Sequence, residues 1–171
     1  TGLGLEGEYR EPTQGGRGHM EVETTATRIT KNSRLNINLE YENNTAVTES
    51  ERGIIQNAAG DAVNLGAFRT LAAPSDKAEL NINYSRTFAS GTSLSLNAGY
   101  DYKETRRLLG LPSATLNVPA TSPFARSVQD ESVFRYFNPF GPLRRTQQTN
   151  TALAGVGLNG AIADWRWALT A

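Results

Sequence analysis

Between residues 103 and 145 the sequence gathers guanidinium groups and aromatic rings. Arg106, Arg107, Arg126, Arg144 and Arg145 stand near Phe134, Tyr136, Phe137 and Phe140. Guanidinium forks pair with carboxylates and phosphates, and ring faces stack on sugars and planar ligand rings. These residues are the candidate ligand-binding set, suited to an anionic chelate or a glycan. The plainer alternative is that the phenylalanines fill a loop while the arginines stay in solvent. Glu49, Glu51 and Arg52 form a smaller charged group that reads as a solvated cluster.

Catalytic and metal chemistry finds little support. His19 is the single histidine and there is no cysteine, so a histidine cluster, a thiolate site and a disulfide framework are all excluded. Glu21 and Glu23 sit two residues apart, a spacing common on strands that do no acid–base work. A serine–histidine pair would have to use His19, which by parity shares a face with the glutamates. Gly2-Leu3-Gly4 and Gly15-Gly16-Arg17-Gly18 precede no helix, so neither is a phosphate loop. The chain is expected not to be an enzyme and to need no cofactor and no metal.

The bulk properties narrow the partners. Lysine and arginine total 17 and aspartate and glutamate total 17 in 171 residues, so no global field selects nucleic acid. Mean hydropathy is −0.45 and no apolar run approaches the roughly 20 residues of a membrane helix. Neither fact bears on a membrane barrel, in which only alternate residues of each strand meet lipid. The opening TGLGLEGEYR has no basic stretch leading into an apolar one, so an export address is expected upstream of residue 1.

Period-two alternation is the dominant signal. In residues 78–102, Leu80, Ile82 and Tyr84 alternate with Glu79, Asn81, Asn83 and Ser85. After the turn residues Ala89-Ser90-Gly91-Thr92, Leu94, Leu96, Ala98, Tyr100 and Tyr102 alternate with Ser95, Asn97, Gly99 and Asp101. The same pattern predicts strands near 1–10, 19–30, 34–42, 149–158 and 165–171, with a slip near Arg28-Ile29 that suggests a bulge and a turn over 160–164. The fold expected is all-β, an antiparallel up-and-down meander of about seven strands.

Connection lengths choose its setting. Short turns alternate with long stretches, 43–77 and 103–145, as in outer-membrane barrels with tight periplasmic turns and long extracellular loops. Loops of that length are unusual inside a compact soluble domain. With the odd strands running outward, Tyr9, Tyr41, Tyr100 and Tyr102 fall at the outer end of the apolar face. Phe88, Trp165 and Trp167 fall at the inner end, the placement of two aromatic girdles. Seven strands with open edges cannot stand in lipid, so 1–171 is expected to be a partial domain of a larger transmembrane outer-membrane β-barrel. Glu6, Glu8, Glu21, Glu23, Asn36, Asn38, Glu40, Asn81, Asn83, Asn97 and Asp101 would then line its lumen.

The second half carries a more specific likeness in Leu108-Leu109-Gly110, VPATSPFA at 118–125, Phe134-Arg135-Tyr136, Gly141-Pro142-Leu143, the LNG of 158–160 and Trp165-Arg166-Trp167. It resembles barrel segments of TonB-dependent receptors from sphingomonad-like Gram-negative bacteria. Glu49-Ser50-Glu51-Arg52 and Phe68-Arg69-Thr70-Leu71 are similar to a preceding extracellular loop of such receptors. The resemblance implies a barrel of about 22 strands around a plug, energised by the TonB complex, in the bacterial outer membrane. It implies import of a scarce nutrient such as an iron chelate (a siderophore), cobalamin or a saccharide. The implied partners are outer-membrane lipid, the receptor's own plug domain, the TonB complex and the small-molecule nutrient, with no nucleic acid. No plug or TonB box is recognisable in these residues. A soluble all-β binding or adhesion module and a passive porin-like channel are the competing readings.

Overall fold

A computed structural model describes residues 1–13, 15–54 and 65–171. Numbered in chain order, its strands are β1 (Gly2–Arg10), β2 (His19–Ile29), β3 (Ser33–Asn44), β4 (Val47–Thr48), β5 (Thr70–Ala72), β6 (Ser75–Thr87), β7 (Ser93–Leu108), β8 (Ser113–Val118), β9 (Glu131–Tyr136), β10 (Arg144–Ile162) and β11 (Trp165–Thr170). No α-helix occurs among the described residues, only three short 3-10 turns. The chain divides into two compact units. One comprises Thr1–Ala46, Ala73–Thr105 and Thr146–Ala171, the other Val47–Ala72 and Arg106–Arg145.

The first unit is a seven-stranded antiparallel meander in the order β1-β2-β3-β6-β7-β10-β11, with β1 and β11 as open edges. Strict alternation gives each strand an apolar and a polar face, and antiparallel pairing keeps like faces together. One face therefore carries the rows Leu5, Thr24, Leu39, Leu80, Tyr100 and Leu3, Ala26, Ile37, Ile82, Ala98. The sheet is a single layer. Among the described residues of this unit no apolar side chain is buried, whereas Asn44 and Ser75 are.

The hairpin turns are tight. Between β6 and β7, Phe88 N–H donates to the Thr92 carbonyl at 2.8 Å and Gly91 N–H to the Phe88 carbonyl at 3.0 Å. Gly91 takes φ 79°, a left-handed conformation that only glycine adopts without cost. The β10–β11 turn is shorter than the expected 160–164: β10 continues to Ile162, leaving Ala163 and Asp164 between the strands. Ala163 sits at φ 52°, as the first central position of such hairpin turns requires.

Three further expectations are revised. The β2–β3 register runs unbroken through Arg28↔Leu35 and Ile29↔Arg34, so there is no bulge there. A polar exception on an alternating face had imitated a slip of register. Strands β7 and β10 outrun the expected 92–102 and 149–158, reaching Leu108 and beginning at Arg144. Their added residues are polar on both faces, so no two-faced pattern marks them, although backbone pairing continues through Asp76↔Glu104 and Ser75↔Thr105. The stretch 103–145 is largely structured rather than a loop, since β8 and β9 pair as a ribbon inside it. In 43–77, β4 pairs with β5, and residues 55–64 lie outside the described residues.

The second unit owns the only buried apolar side chains among the described residues: Val47, Leu65 and Leu111. Backbone bonds knit its segments, with Gly110 N–H to the Phe68 carbonyl at 2.9 Å, Leu109 N–H to the Leu143 carbonyl at 2.8 Å and Phe137 N–H to the Pro112 carbonyl at 2.8 Å. Glu49 is largely buried and pairs through Oε1 with Arg69 Nε at 3.3 Å. Its Oε2 has no hydrogen-bond partner among the described residues.

Candidate functional site

The polar face of the first unit is built in rows perpendicular to the strands. Glu6, Glu23, Glu40, Glu79 and Asp101 stand directly opposite one another on five consecutive strands, forming one line of carboxylates. Neighbouring strands are about 4.8 Å apart, and like charges at that distance repel. The next row, Glu8, Glu21, Glu42, Lys77 and Lys103, supplies part of the compensation. Lys77 Nζ lies 3.2 Å from Glu40 Oε1 and 2.5 Å from Glu79 Oε2. Asn38 Nδ2 donates to Glu23 Oε1 at 2.5 Å and to Thr25 Oγ1 at 3.2 Å.

Beyond the charged rows, at the loop end of β2, β3 and β6, lies a knot of polar groups around the buried Asn44 and Ser75. His19 Nδ1 is 3.1 Å from Asn44 Oδ1, and its Nε2 is 3.3 Å from Glu21 Oε2. Asn44 Nδ2 donates to Ser75 Oγ at 3.2 Å, which also accepts from Arg17 at 2.9 Å. Gly18 N–H donates to Thr45 Oγ1 at 2.8 Å. A Cβ on Gly18 would stand 3.2 Å from that oxygen, which is why the chain passes here on glycine. These contacts tie the 11–18 connection to the sheet. His19 is thus a structural partner of the carboxylates on its face.

Toward the short turns the polar face changes character. Asn36, Asn83 and Asn97 make one cross-strand row and Arg34, Ser85 and Ser95 the next. A shallow concavity of about 450 Å³ opens over these six residues. Among the described residues no three histidine, aspartate or glutamate side chains converge as a group able to hold a metal ion.

The candidate ligand-binding residues all fall in the second unit, on separate pieces of it. Arg106 and Arg107 end β7, Arg126 lies between β8 and β9, and Arg144 and Arg145 open β10. All five are exposed. The rings pair with one another: Phe134 and Tyr136 meet edge to face with centroids 4.8 Å apart, and Phe137 and Phe140 are 6.1 Å apart. Phe140 remains 78% exposed. Adjacent positions such as Arg144 and Arg145 point to opposite sides of an extended strand, so one ligand meets at most one of them from each face.

Alternation in the sequence marks most of the individual polar-face residues but not their rows, nor the Arg34 patch, nor the Lys77 bridge. Within hairpins the rows were latent in the turn positions. Across the long connections no such signal exists. No protein-family model, curated protein or solved structure matches the chain.

Proposed function

We propose that this chain is a barrel segment of a TonB-dependent outer-membrane receptor, in which its seven strands form part of the wall and its long connections help recognise an imported nutrient. The observation that carries this reading is a two-faced single-layer sheet whose apolar face buries none of its side chains among the described residues. Leu3 is 78% and Leu5 72% exposed, and Val22, Leu39, Leu96 and Leu169 are exposed as well. Each such side chain gains about 1.5–3 kcal/mol on leaving water, so an aqueous surface forgoes that gain at every position. Acyl chains supply it.

Three further features agree with this reading. Tyr9, Tyr41, Tyr102 and Tyr100 occupy three adjacent rows at one border of the apolar face. Tyr84, Phe88, Trp165 and Trp167 lie toward the short turns, and the Arg86 guanidinium sits 5.1 Å from the centre of the Phe88 ring. Rings at both borders suit the two lipid–water interfaces. The opposite face, with its carboxylate and asparagine rows, suits a hydrated lumen. Connections of 3, 5 and 2 residues (30–32, 88–92 and 163–164) alternate with one of 8 residues (11–18) and two of 30 or more (45–74 and 109–143). Further strands continuing from the open edges β1 and β11 would complete the wall.

Spin labelling of single cysteines introduced along β3 tests the proposal on the full protein in outer-membrane vesicles, and no cysteine within residues 1–171 competes for the label. Labels at Leu35, Ile37, Leu39 and Tyr41 should be reached by oxygen and shielded from a water-soluble nickel chelate. Labels at Asn36, Asn38 and Glu40 should show the reverse. Equal nickel access on both faces, or recovery of the protein without detergent, would overturn the membrane reading in favour of a soluble module.

A further inference from the structure

The patch around Arg34 differs from the rest of the polar face. Its charge is a single cation, and no carboxylate pairs with that guanidinium among the described residues. Beside it stand three side-chain amides and two hydroxyls in a regular array, Arg34–Ser85–Ser95 over Asn36–Asn83–Asn97. Asn36 Nδ2 donates to Thr27 Oγ1 at 2.9 Å, which fixes its orientation. With strands about 4.8 Å apart and alternate residues about 6.8 Å apart, the array covers about 10 by 7 Å, the footprint of one sugar ring.

The neighbouring strand deepens the site. On β10 the positions beside Asn97 and Ser95 are Gly155 and Gly157. A Cβ on Gly155 would lie 2.6 Å from Asn97 Oδ1, and one on Gly157 would lie 2.5 Å from Ser95 Oγ. Glycine at both places lets these polar groups lie low over the sheet and leaves a flat floor beyond them. On the other side Ile29 stands opposite Arg34 and is 61% exposed, an apolar neighbour of the polar array. The concavity over Arg34, Asn36, Asn83, Ser85, Ser95 and Asn97, of about 450 Å³, lies within the roughly 300–1,000 Å³ range of small-molecule sites.

We propose that this patch binds an acidic monosaccharide unit, with the ligand carboxylate on Arg34, its hydroxyls on Asn83, Asn97, Ser85 and Ser95, and its C–H edge against Ile29. A guanidinium takes a carboxylate in two-point fashion. A primary amide offers a donor and an acceptor together, which is what a sugar hydroxyl requires of its partner. The site depends only on the register of β3, β6, β7 and β10 and stands apart from the membrane reading.

Calorimetric titration of the purified protein with galacturonate, galactose and inorganic phosphate tests it. Galacturonate should bind at least tenfold more tightly than either of the others. Arg34→Gln should reduce galacturonate affinity about tenfold and leave galactose unchanged. Asn97→Ala should weaken both sugars about threefold to tenfold without affecting phosphate. Gly155→Ala should weaken both sugars by displacing Asn97. All of the side chains replaced on β3 and β7 are exposed, and an unchanged circular dichroism spectrum shows that each variant has folded. Galacturonate and phosphate binding equally, both insensitive to Asn97→Ala, would reduce the patch to a bare anion contact and overturn the proposal. So would no galacturonate binding at tens of millimolar.

Discussion

Glu40 and Glu79 face each other across the β3–β6 pair, and the Lys77 ammonium bridges them. That cation stands one row beside a line of five carboxylates and pairs with two of them, and the side chains involved are a quarter to a third exposed. The arrangement makes β3 and β6 electrostatically dependent on a residue one row away.

Lys77→Met should therefore destabilise the sheet by about 1 kcal/mol, the scale of like charges placed opposite each other on a sheet. Adding Glu79→Gln should restore most of that loss, because one of the two repelling charges is gone. The penalty of the single variant should also shrink in acid, as carboxylates take up protons. Denaturant midpoints for the single and double variants, at neutral and low pH, check this. Equal midpoints for Lys77→Met and the wild type would mean that solvent alone screens the row.

Neighbouring positions on one strand should respond in opposite ways. Leu39 lies on the apolar face and Asn38 on the polar one. In a bilayer, Leu39→Arg should cost about 2–4 kcal/mol, the scale for arginine placed in the hydrocarbon of a barrel. Asn38→Arg should cost less than about 1 kcal/mol, and its guanidinium can pair with the adjacent carboxylate row. Reversible unfolding from lipid vesicles measures both. Near-neutral effects at both positions would count against a lipid-facing surface.

Ala163 holds a left-handed conformation at the β10–β11 turn. An alanine there is disfavoured by about 1–2 kcal/mol relative to the ordinary helical or extended regions. Ala163→Gly should raise stability by about 1 kcal/mol, with part of that offset by the greater freedom of glycine in the unfolded chain. Ala163→Val should lower it. A thermal or denaturant midpoint that falls for Ala163→Gly would show that the turn relaxes into another geometry.

Gly160 lies opposite Trp167, and a Cβ there would stand 2.5 Å from the indole ring. Gly160→Ala should push the ring off the strand and cost about 1–3 kcal/mol, the usual range for overpacking. Tryptophan emission should shift at the same time. An unchanged spectrum and stability would place the indole elsewhere.

On the proposed receptor reading, replacing Arg144 and Arg145 with alanine in the full protein should weaken uptake of an anionic nutrient several-fold while leaving assembly intact. Both side chains are exposed, so neither supports a core. Uptake assays with a labelled ligand measure this, and unchanged uptake would remove these two residues from recognition.

Much was legible in the sequence because period-two alternation is a local property. A residue two places along a strand must share its neighbour's face, so the apolar set Leu35, Ile37 and Leu39 and the polar set Asn36, Asn38 and Glu40 could be separated without coordinates. Short turns also carry register: with only residues 88–92 between β6 and β7, Asn83 can meet Asn97 and Leu80 can meet Tyr100. The ends of β7 and β10 were not legible, since residues such as Lys103, Glu104, Arg106 and Arg107 are polar on both faces and look like loop.

Tertiary structure alone decided how β3 meets β6 and how β10 lies beside β7. Long connections separate these pairs, and closing a long connection costs nearly the same entropy in any register, so its length selects none. Matching of whole faces across the strands makes that choice. From it come the carboxylate row that runs from Glu6 to Asp101, the Lys77 bridge and the glycine floor beside Asn97. By itself the sequence determined which residues share a face of the sheet; only the folded sheet decided which of them stand side by side.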